Sequence, residues 1–369
     1  MRILFTGGGT GGHIYPIIAI KSAFGETAAD KFDFYYLGPD SFAKENLNGI
    51  KAKFISAGKL RRYFSLLAPI DLIKILIGII QSFVHLFIWM PDVVFSKGGY
   101  GSFPVVFAAW LYKIPIILHD SDAVPGLTNR KMVRFAKKII LSFDNAKKYF
   151  KPKYQNKIIV IGNPVRKELL GGNKEEARKL FKINSTKPVV LIVGGSQGAE
   201  KINEIVINTL SRFLEIAEII HVTGEKNFKN IKKEAQKLPT YHIYPFLNTE
   251  QLKYAFAAAD LIISRAGATF IFEIAAVGKP SILIPLPNAA SDHQRENAFE
   301  FVNPLAGGQP RAIILEQENL TPNLFLTAIS NLLNNPDKLR QMSEKAKIFY
   351  NPNTAELIRD EILQYDKKS

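Results

Sequence analysis

Two stretches of this 369-residue chain share one grammar. Arg2–Thr6, a short apolar run of β character, opens onto Gly7-Gly8-Gly9-Thr10-Gly11-Gly12 and then onto the apolar-periodic segment Ile14–Phe24. Pro188–Val193 opens in the same way onto Gly194-Gly195-Ser196-Gln197-Gly198-Ala199, followed by Lys201–Leu210. Strand, glycine turn and helix in immediate succession place a helix start at the carboxyl end of a strand, the arrangement of a parallel α/β layer. Meeting it twice, about half the chain apart, calls for two such layers.

The rest of the chain agrees. Runs of β character at Phe32–Leu37, Val93–Ser96, Pro115–His119, Lys138–Ser142, Lys157–Ile161, Glu218–Thr223, Leu261–Ser264 and Ser281–Ile284 alternate with helical stretches. That alternation predicts an α/β protein of two doubly wound, Rossmann-like parallel-sheet domains. Length points the same way, because single cores stop growing near 250–300 residues. The linker Ile161-Gly162-Asn163-Pro164-Val165 divides domains at 1–163 and 164–348. The breaker Asn351-Pro352-Asn353 sets off a terminal segment, 349–369, whose helix Ala355–Tyr365 is expected to pack back on the first domain.

There is no cysteine, so disulfides and thiolate metal sites are excluded, which fits a reducing compartment. Met1-Arg2-Ile3-Leu4-Phe5 runs straight into the glycines without the pattern of a secretory signal, and the expected location is cytoplasmic. The net charge of +15 is unevenly placed: residues 1–165 hold 22 Lys+Arg against 10 Asp+Glu, and residues 166–369 hold 26 against 23. The first half therefore suits an anionic partner, either nucleic acid or a phospholipid surface. Its most apolar region, Leu66–Met90, is interrupted by Asp71, Lys74, Gly78, Gln81, Ser82 and His85, which leaves no clean run of the ~18 residues a spanning helix needs. A buried helix is one reading. An interfacial face is the other, with Lys51, Lys53, Lys59, Arg61 and Arg62 upstream and Trp89 at its end, a composition that suits an anionic membrane surface.

Gly7-x-Gly9-x-x-Gly12 matches the dinucleotide fingerprint in form. The second strand, however, ends Leu37-Gly38-Pro39 with Asp40 beyond a turn, so the ribose-binding acid of an NAD site is missing. What remains is a helix start that can receive a phosphate or diphosphate. His13 opens that helix, where a neutral imidazole could accept a proton. In the second half, Arg265-Ala266-Gly267-Ala268-Thr269-Phe270-Ile271-Phe272-Glu273 repeats the helix-start logic, with Glu273 ~8 Å along the axis from the opening, in reach of ribose hydroxyls. Asp292-His293-Gln294-Arg295-Glu296-Asn297 adds polar groups after another strand. Asp120-Ser121-Asp122 has the form of the D-x-D metal motif of some glycosyltransferases, but two positive helix starts already answer a diphosphate's charge, so no metal is expected.

As a set, GGGTGGHIYP (7–16), GKLRRY (58–63), KGGYGSFP (97–104), VPGLTNR (124–130), IGNPVR (161–166), GGSQGA (194–199), SRAGATFIFE (264–273) and DHQRENA (292–298) closely resemble the MurG glycosyltransferases. The resemblance runs from residue 6 to about residue 298, in order. It implies the GT-B fold, two Rossmann-like domains facing a cleft, and an inverting, metal-independent transfer of N-acetylglucosamine from UDP-GlcNAc to lipid I, giving lipid II. It also implies that Ser196 and Arg166 contact the donor's phosphate region, Leu247 the uracil through its backbone, Ala268 to Glu273 the phosphates and ribose, with Glu273 on the ribose hydroxyls, and Gln294 the sugar. Thr10, Gly11 and Gly12 would line the acceptor side. The implied place is the cytoplasmic face of the bacterial cell membrane, with no cofactor, no nucleic acid, and proteins of the cell-wall and division machinery as partners.

One position departs from the family, which usually reads His-Glu-x-Asn where this chain has His119-Asp120-Ser121-Asp122. An Asp cannot donate as an Asn does, so Asp122 either accepts from a substrate hydroxyl or shares the base role. The expected chemistry is displacement at the anomeric carbon by the muramyl 4-hydroxyl, with His13 as first candidate base, Asp122 as second, and helix starts with Arg265 stabilising the departing UDP. Two rivals remain: a UDP-GlcNAc 2-epimerase of the same fold, and a non-catalytic basic membrane binder.

Overall fold

The structure, a computed structural model, describes residues 1–25, 31–40, 44, 47, 49–58, 68–194, 199–235, 238–287, 289, 292–302 and 310–366. The chain divides into two units, Met1–Val165 with Pro352–Ser369, and Arg166–Asn351.

The first unit holds seven strands: β1 (Arg2–Thr6), β2 (Asp33–Gly38), β3 (Lys51–Phe54), β4 (Val93–Ser96), β5 (Ile116–Asp120), β6 (Lys138–Leu141) and β7 (Ile158–Val160). All pair in parallel, in the order β3-β2-β1-β4-β5-β6-β7. The central strands β4 and β5 are buried along their whole length, as expected of a sheet covered by helices on both faces. On one face, Ile14, Ile17 and Ile20 of helix Gly11–Ser22 join Ile3, Phe5 and Phe95 in a core that also takes Ile358 and Ile362 of helix Thr354–Leu363. The terminal helix is fixed further by an ion pair of Lys138 with Glu361, and by Arg359 donating to the Ala23 carbonyl at 2.8 Å.

The second unit carries β8 (Val189–Val193), β9 (Glu218–Val222), β10 (Tyr241–Tyr244), β11 (Leu261–Ser264), β12 (Ser281–Leu283) and β13 (Ile313–Ile314), again all parallel, in the order β10-β9-β8-β11-β12-β13. Three strands escaped the sequence reading, β3, β10 and β13, and each is the edge of a sheet. An edge strand packs fewer neighbours, and Lys51-Ala52-Lys53-Phe54 alternates instead of forming the apolar run of a central strand. In both sheets the winding reverses beside the first strand of the unit, between β1 and β4 and between β8 and β11, and ligands of open α/β sheets gather at the carboxyl ends there.

Leu66–Met90 corrects one expectation. Pro69–Trp89 is helical for 21 residues and is long and apolar enough to cross a membrane by length and composition. Interruptions counted along the sequence missed this because Asp71, Gly78 and Ser82 fall together on one face with Ile75 and Leu86, and that face is the buried one. Gly78 lies against the Ser56 carbonyl and the Pro104 ring, and Ser82 Oγ donates to the Gly78 carbonyl at 2.7 Å. The other face holds Ile70, Ile73, Ile77, Ile80, Val84 and Phe87 at helical spacing, 44 to 67% exposed.

Candidate active site

At the winding reversal of the first unit, β1 ends in the glycine loop and β4 ends in Lys97-Gly98-Gly99. The two loops close around His13. A Cβ on Gly8 would stand 3.0 Å from His13 Cε1, and one on Gly99 would stand 3.0 Å from His13 Nε2, while Gly98 and Gly99 have φ of 82° and 83°. Much of the glycine content therefore serves the close approach of two loops and the left-handed backbone of one, which the sequence reading assigned to a ligand alone. Thr10 precedes helix Gly11–Ser22; its carbonyl accepts from the His13 and Ile14 N–H groups, and its hydroxyl bonds His13 Nδ1 at 2.9 Å. Gly12 is exposed beside it, and no acidic residue stands in that first turn. Burial, reinforced by the charge of Lys97 and opposed by Asp122, pulls the His13 imidazole down to about 4, so its neutral, proton-accepting form prevails near neutrality.

The loop after β5 carries Asp122 to the same neighbourhood. Asp120 organises that loop: its Oδ1 accepts the Asp122 N–H at 3.0 Å, and its Oδ2 accepts the Gly126 N–H at 3.1 Å and Asn129 Nδ2 at 2.7 Å. Burial, then the neighbouring Asp122, raises Asp120 to about 6. The first carboxylate of D-x-D is thus occupied in folding its own loop, and Asp122, half-buried, is the one that acts electrostatically on His13. Lys97, His119, Ser121 and Asn163 complete the cluster. Of these the sequence reading gave no role to Lys97, although a lysine closing an apolar strand and opening a glycine pair was a signal for it.

In the second unit, the loop after β11 leads through Gly267 into helix Ala268–Val277, whose first intrahelical bond runs from the Ile271 N–H to the Gly267 carbonyl. Gly267 brings no side-chain cap and a Cβ there would meet nothing within 4 Å, which leaves the helix start open to an anion. Ile271 and Phe272 are buried, and Phe270 and Phe272 pack on Phe256 and Phe349, so these residues can offer a ligand little besides backbone. Glu273 does not face solvent: its Oε1 accepts from Arg166 at 2.8 Å with both side chains 4% exposed, and Arg166 also donates to Thr249 Oγ1 at 2.9 Å. Two residues 107 positions apart, assigned to phosphate and ribose, are one buried ion pair, and Thr249 joins them unforeseen. Burial raises the Glu273 carboxyl, and the Arg166 charge holds it back.

Leu247 is buried two residues from Thr249. Arg265 donates to the Ile284 and Pro285 carbonyls at 3.0 and 3.2 Å and to Gln317 Oε1 at 2.6 Å, so its guanidinium braces the ends of β12 and its neighbour. Gln294 accepts from the Leu286 N–H at 3.0 Å. Ser196 lies outside the described residues, as do Lys59, Arg61 and Arg62.

Comparison with known proteins places this geometry. Residues 3–141 match the glycosyltransferase family 28 N-terminal domain and residues 189–358 its C-terminal domain. Over 350 residues the chain is 40% identical to the UDP-N-acetylglucosamine–N-acetylmuramyl-(pentapeptide) pyrophosphoryl-undecaprenol N-acetylglucosamine transferase of Legionella pneumophila strain Paris, covering 94% of this chain and 93% of that one. The chain belongs to the MurG family. A second MurG relative, from Bacillus cereus, is 37% identical over 348 residues, covering 93% and 95% of the two chains. Among solved structures, the MurG of Acinetobacter baumannii superposes with a TM-score of 0.72 at 26% identity over 98% of this chain and 99% of its own. The UDP-GlcNAc 2-epimerase of Neisseria meningitidis matches with a TM-score of 0.69 at 16% identity, over 99% and 100%, which is a likeness of fold.

Proposed function

We propose that this protein transfers N-acetylglucosamine from UDP-GlcNAc to the 4-hydroxyl of the muramyl sugar in undecaprenyl-diphosphate-linked muramyl pentapeptide, lipid I, to form lipid II. The observation that carries the reading is 40% identity, over 94% of the chain, to a transferase named for this reaction. The geometry supplies chemistry to match. The second unit offers the open helix start at Ala268 to the donor's diphosphate, with the Arg166–Glu273 pair buried within the same unit. The first unit offers a neutral His13 at a helix start, with Asp122 nearby.

In the proposed step, His13 takes the proton of the attacking hydroxyl, the oxygen bonds to the anomeric carbon from the face opposite the diphosphate, and the bond to UDP breaks. The helix start then stabilises the charge gathering on the departing phosphate. The acceptor carries an undecaprenyl chain, and the exposed row Ile70 to Phe87, with Ile88, Trp110 and Leu111 beside it, suits the headgroup boundary of an anionic bilayer. We accordingly place the protein on the cytoplasmic face of the bacterial membrane, lying on it without crossing it.

Incubation with radiolabelled UDP-GlcNAc and a lipid I analogue tests the reading. Label is expected in the lipid product with release of one UDP per transfer. No transfer, with UDP-ManNAc formed from the donor, would favour an epimerase.

A further inference from the structure

Lys97 is 3% exposed, in the loop after β4, and among the described residues it has no carboxylate as a hydrogen-bond partner. Its Nζ instead meets His119 Nδ1 at 2.5 Å, Asn163 Oδ1 at 2.9 Å and Ser121 Oγ. The remaining protons of the cluster are consistent with three donors on that nitrogen. Ser121 gives its own hydroxyl proton to Asn163 Oδ1 at 2.8 Å, so it accepts from Lys97. His119 Nε2 faces the Gly162 carbonyl at 3.0 Å, which requires the tautomer with Nε2–H and leaves Nδ1 as an acceptor. Three acceptors around one amine fit an ammonium, and a neutral amine, with two protons, would turn its lone pair toward one of them.

We propose that Lys97 is a positioning residue for the transfer reaction: a buried cation seated by His119, Ser121 and Asn163 that ties the loops after β4, β5 and β7 together and sets the charge balance between His13 and Asp122. The functional half of this inference rests on the reading of His13 as the base. The loop after β4 brings Lys97 toward His13, and the loop after β5 brings Asp122. These two charges act on the imidazole in opposite senses, and Thr10 hydrogen-bonds it from its own helix. Lys97 favours the neutral ring that can take a proton, whereas Asp122 favours the imidazolium. Burial pulls Lys97 itself down to about 7, with Asp120 and Asp122 resisting, so it keeps its proton through the mildly acidic range in which His13 must lose its own.

The test is Lys97→Met in the full-length protein, read by NMR titration of labelled histidine, with the His13 signal identified by its loss in His13→Gln, together with the pH profile of kcat/KM. The His13 pKa is expected to rise by about one unit from about 4, which would raise the ratio of kcat/KM at pH 8 to that at pH 5 about twofold. A lysine that merely held the loops together would lower kcat/KM alike at both pH values. A folded Lys97→Met protein whose His13 titrates as in the wild type overturns the proposal. If that variant fails to fold, Asp122→Asn and the wild type decide. Asp122→Asn is expected to lower the His13 pKa further, and the Lys97 Nζ signal of the wild type is expected to be that of an ammonium at pH 5; a neutral amine there overturns the proposal. Retained turnover in His13→Ala would refute the base assignment, and the His13 titration in Lys97→Met would still report on the seat.

Discussion

Replacing Glu273 by Gln keeps its shape and removes the charge that faces Arg166. The pair stands at 2.8 Å with each side chain 4% exposed. At an effective dielectric of about 20, that separation corresponds to roughly 6 kcal/mol of attraction. Glu273→Gln loses most of this, relieves the desolvation of the carboxylate, and leaves the guanidinium buried with an amide oxygen and Thr249 for partners. Removing one member of a buried pair destabilises by about 3–5 kcal/mol, so a loss near the lower end is expected. Both tryptophans, Trp89 and Trp110, belong to the first unit, and their fluorescence does not report this loss directly. Hydrogen exchange of the β8 and β11 amides does, and should show the opening free energy of the second unit falling by about 3 kcal/mol. The double variant Arg166→Met/Glu273→Leu should recover much of that stability while losing turnover of UDP-GlcNAc. A Glu273→Gln protein within 1 kcal/mol of the wild type would refute the reasoning, because it would mean that water or another group already satisfies Arg166.

Further outcomes follow from the same geometry. The folded state holds His13 at about 4, below its ordinary value near 6.5, so the acid limb of kcat/KM should fall near pH 4. The stability linked to this group is full above the unfolded value and is lost as pH drops from about 6.5 through 4, which acid titration of the unfolding midpoint checks. Ile80 and Phe87 are 64 and 67% exposed, and Ile80→Ser/Phe87→Ser should weaken binding to anionic phospholipid vesicles by roughly 2–3 kcal/mol, about 30- to 150-fold, while leaving secondary structure unchanged. Sedimentation with vesicles measures it, and unchanged binding would remove the interfacial role of this face. Turnover should persist in excess chelator; abolition by chelator with recovery on added magnesium would return Asp120-Ser121-Asp122 to the role of a metal motif.

The two glycine loops made the fold legible because each follows a strand that is apolar on both faces, and only a covered parallel sheet needs such a strand. The same logic failed at β3, β10 and β13, where an edge position relaxes the demand for apolar residues. Glu273 was legible as a candidate from its distance into a helix. Its partner was not, since Arg166 lies 107 residues away and no local spacing relates the two. Lys97 was hidden for a different reason: its acceptors come from the end of β5 and from the loops after β5 and β7, and only the parallel order of β4, β5, β6 and β7 gathers them. The apolar helix of the first unit misled a count along the sequence, because three of its interruptions, Asp71, Gly78 and Ser82, turn to the buried side.

That this chain joins a nucleotide sugar to a lipid-linked acceptor is checked by purifying the lipid product made from UDP-GlcNAc and a lipid I analogue and determining its glycosidic linkage by NMR. The expected product is a disaccharide in which N-acetylglucosamine is joined β to the muramyl 4-oxygen, inverted from the α-linked donor. An unchanged acceptor, or an α linkage, would contradict it.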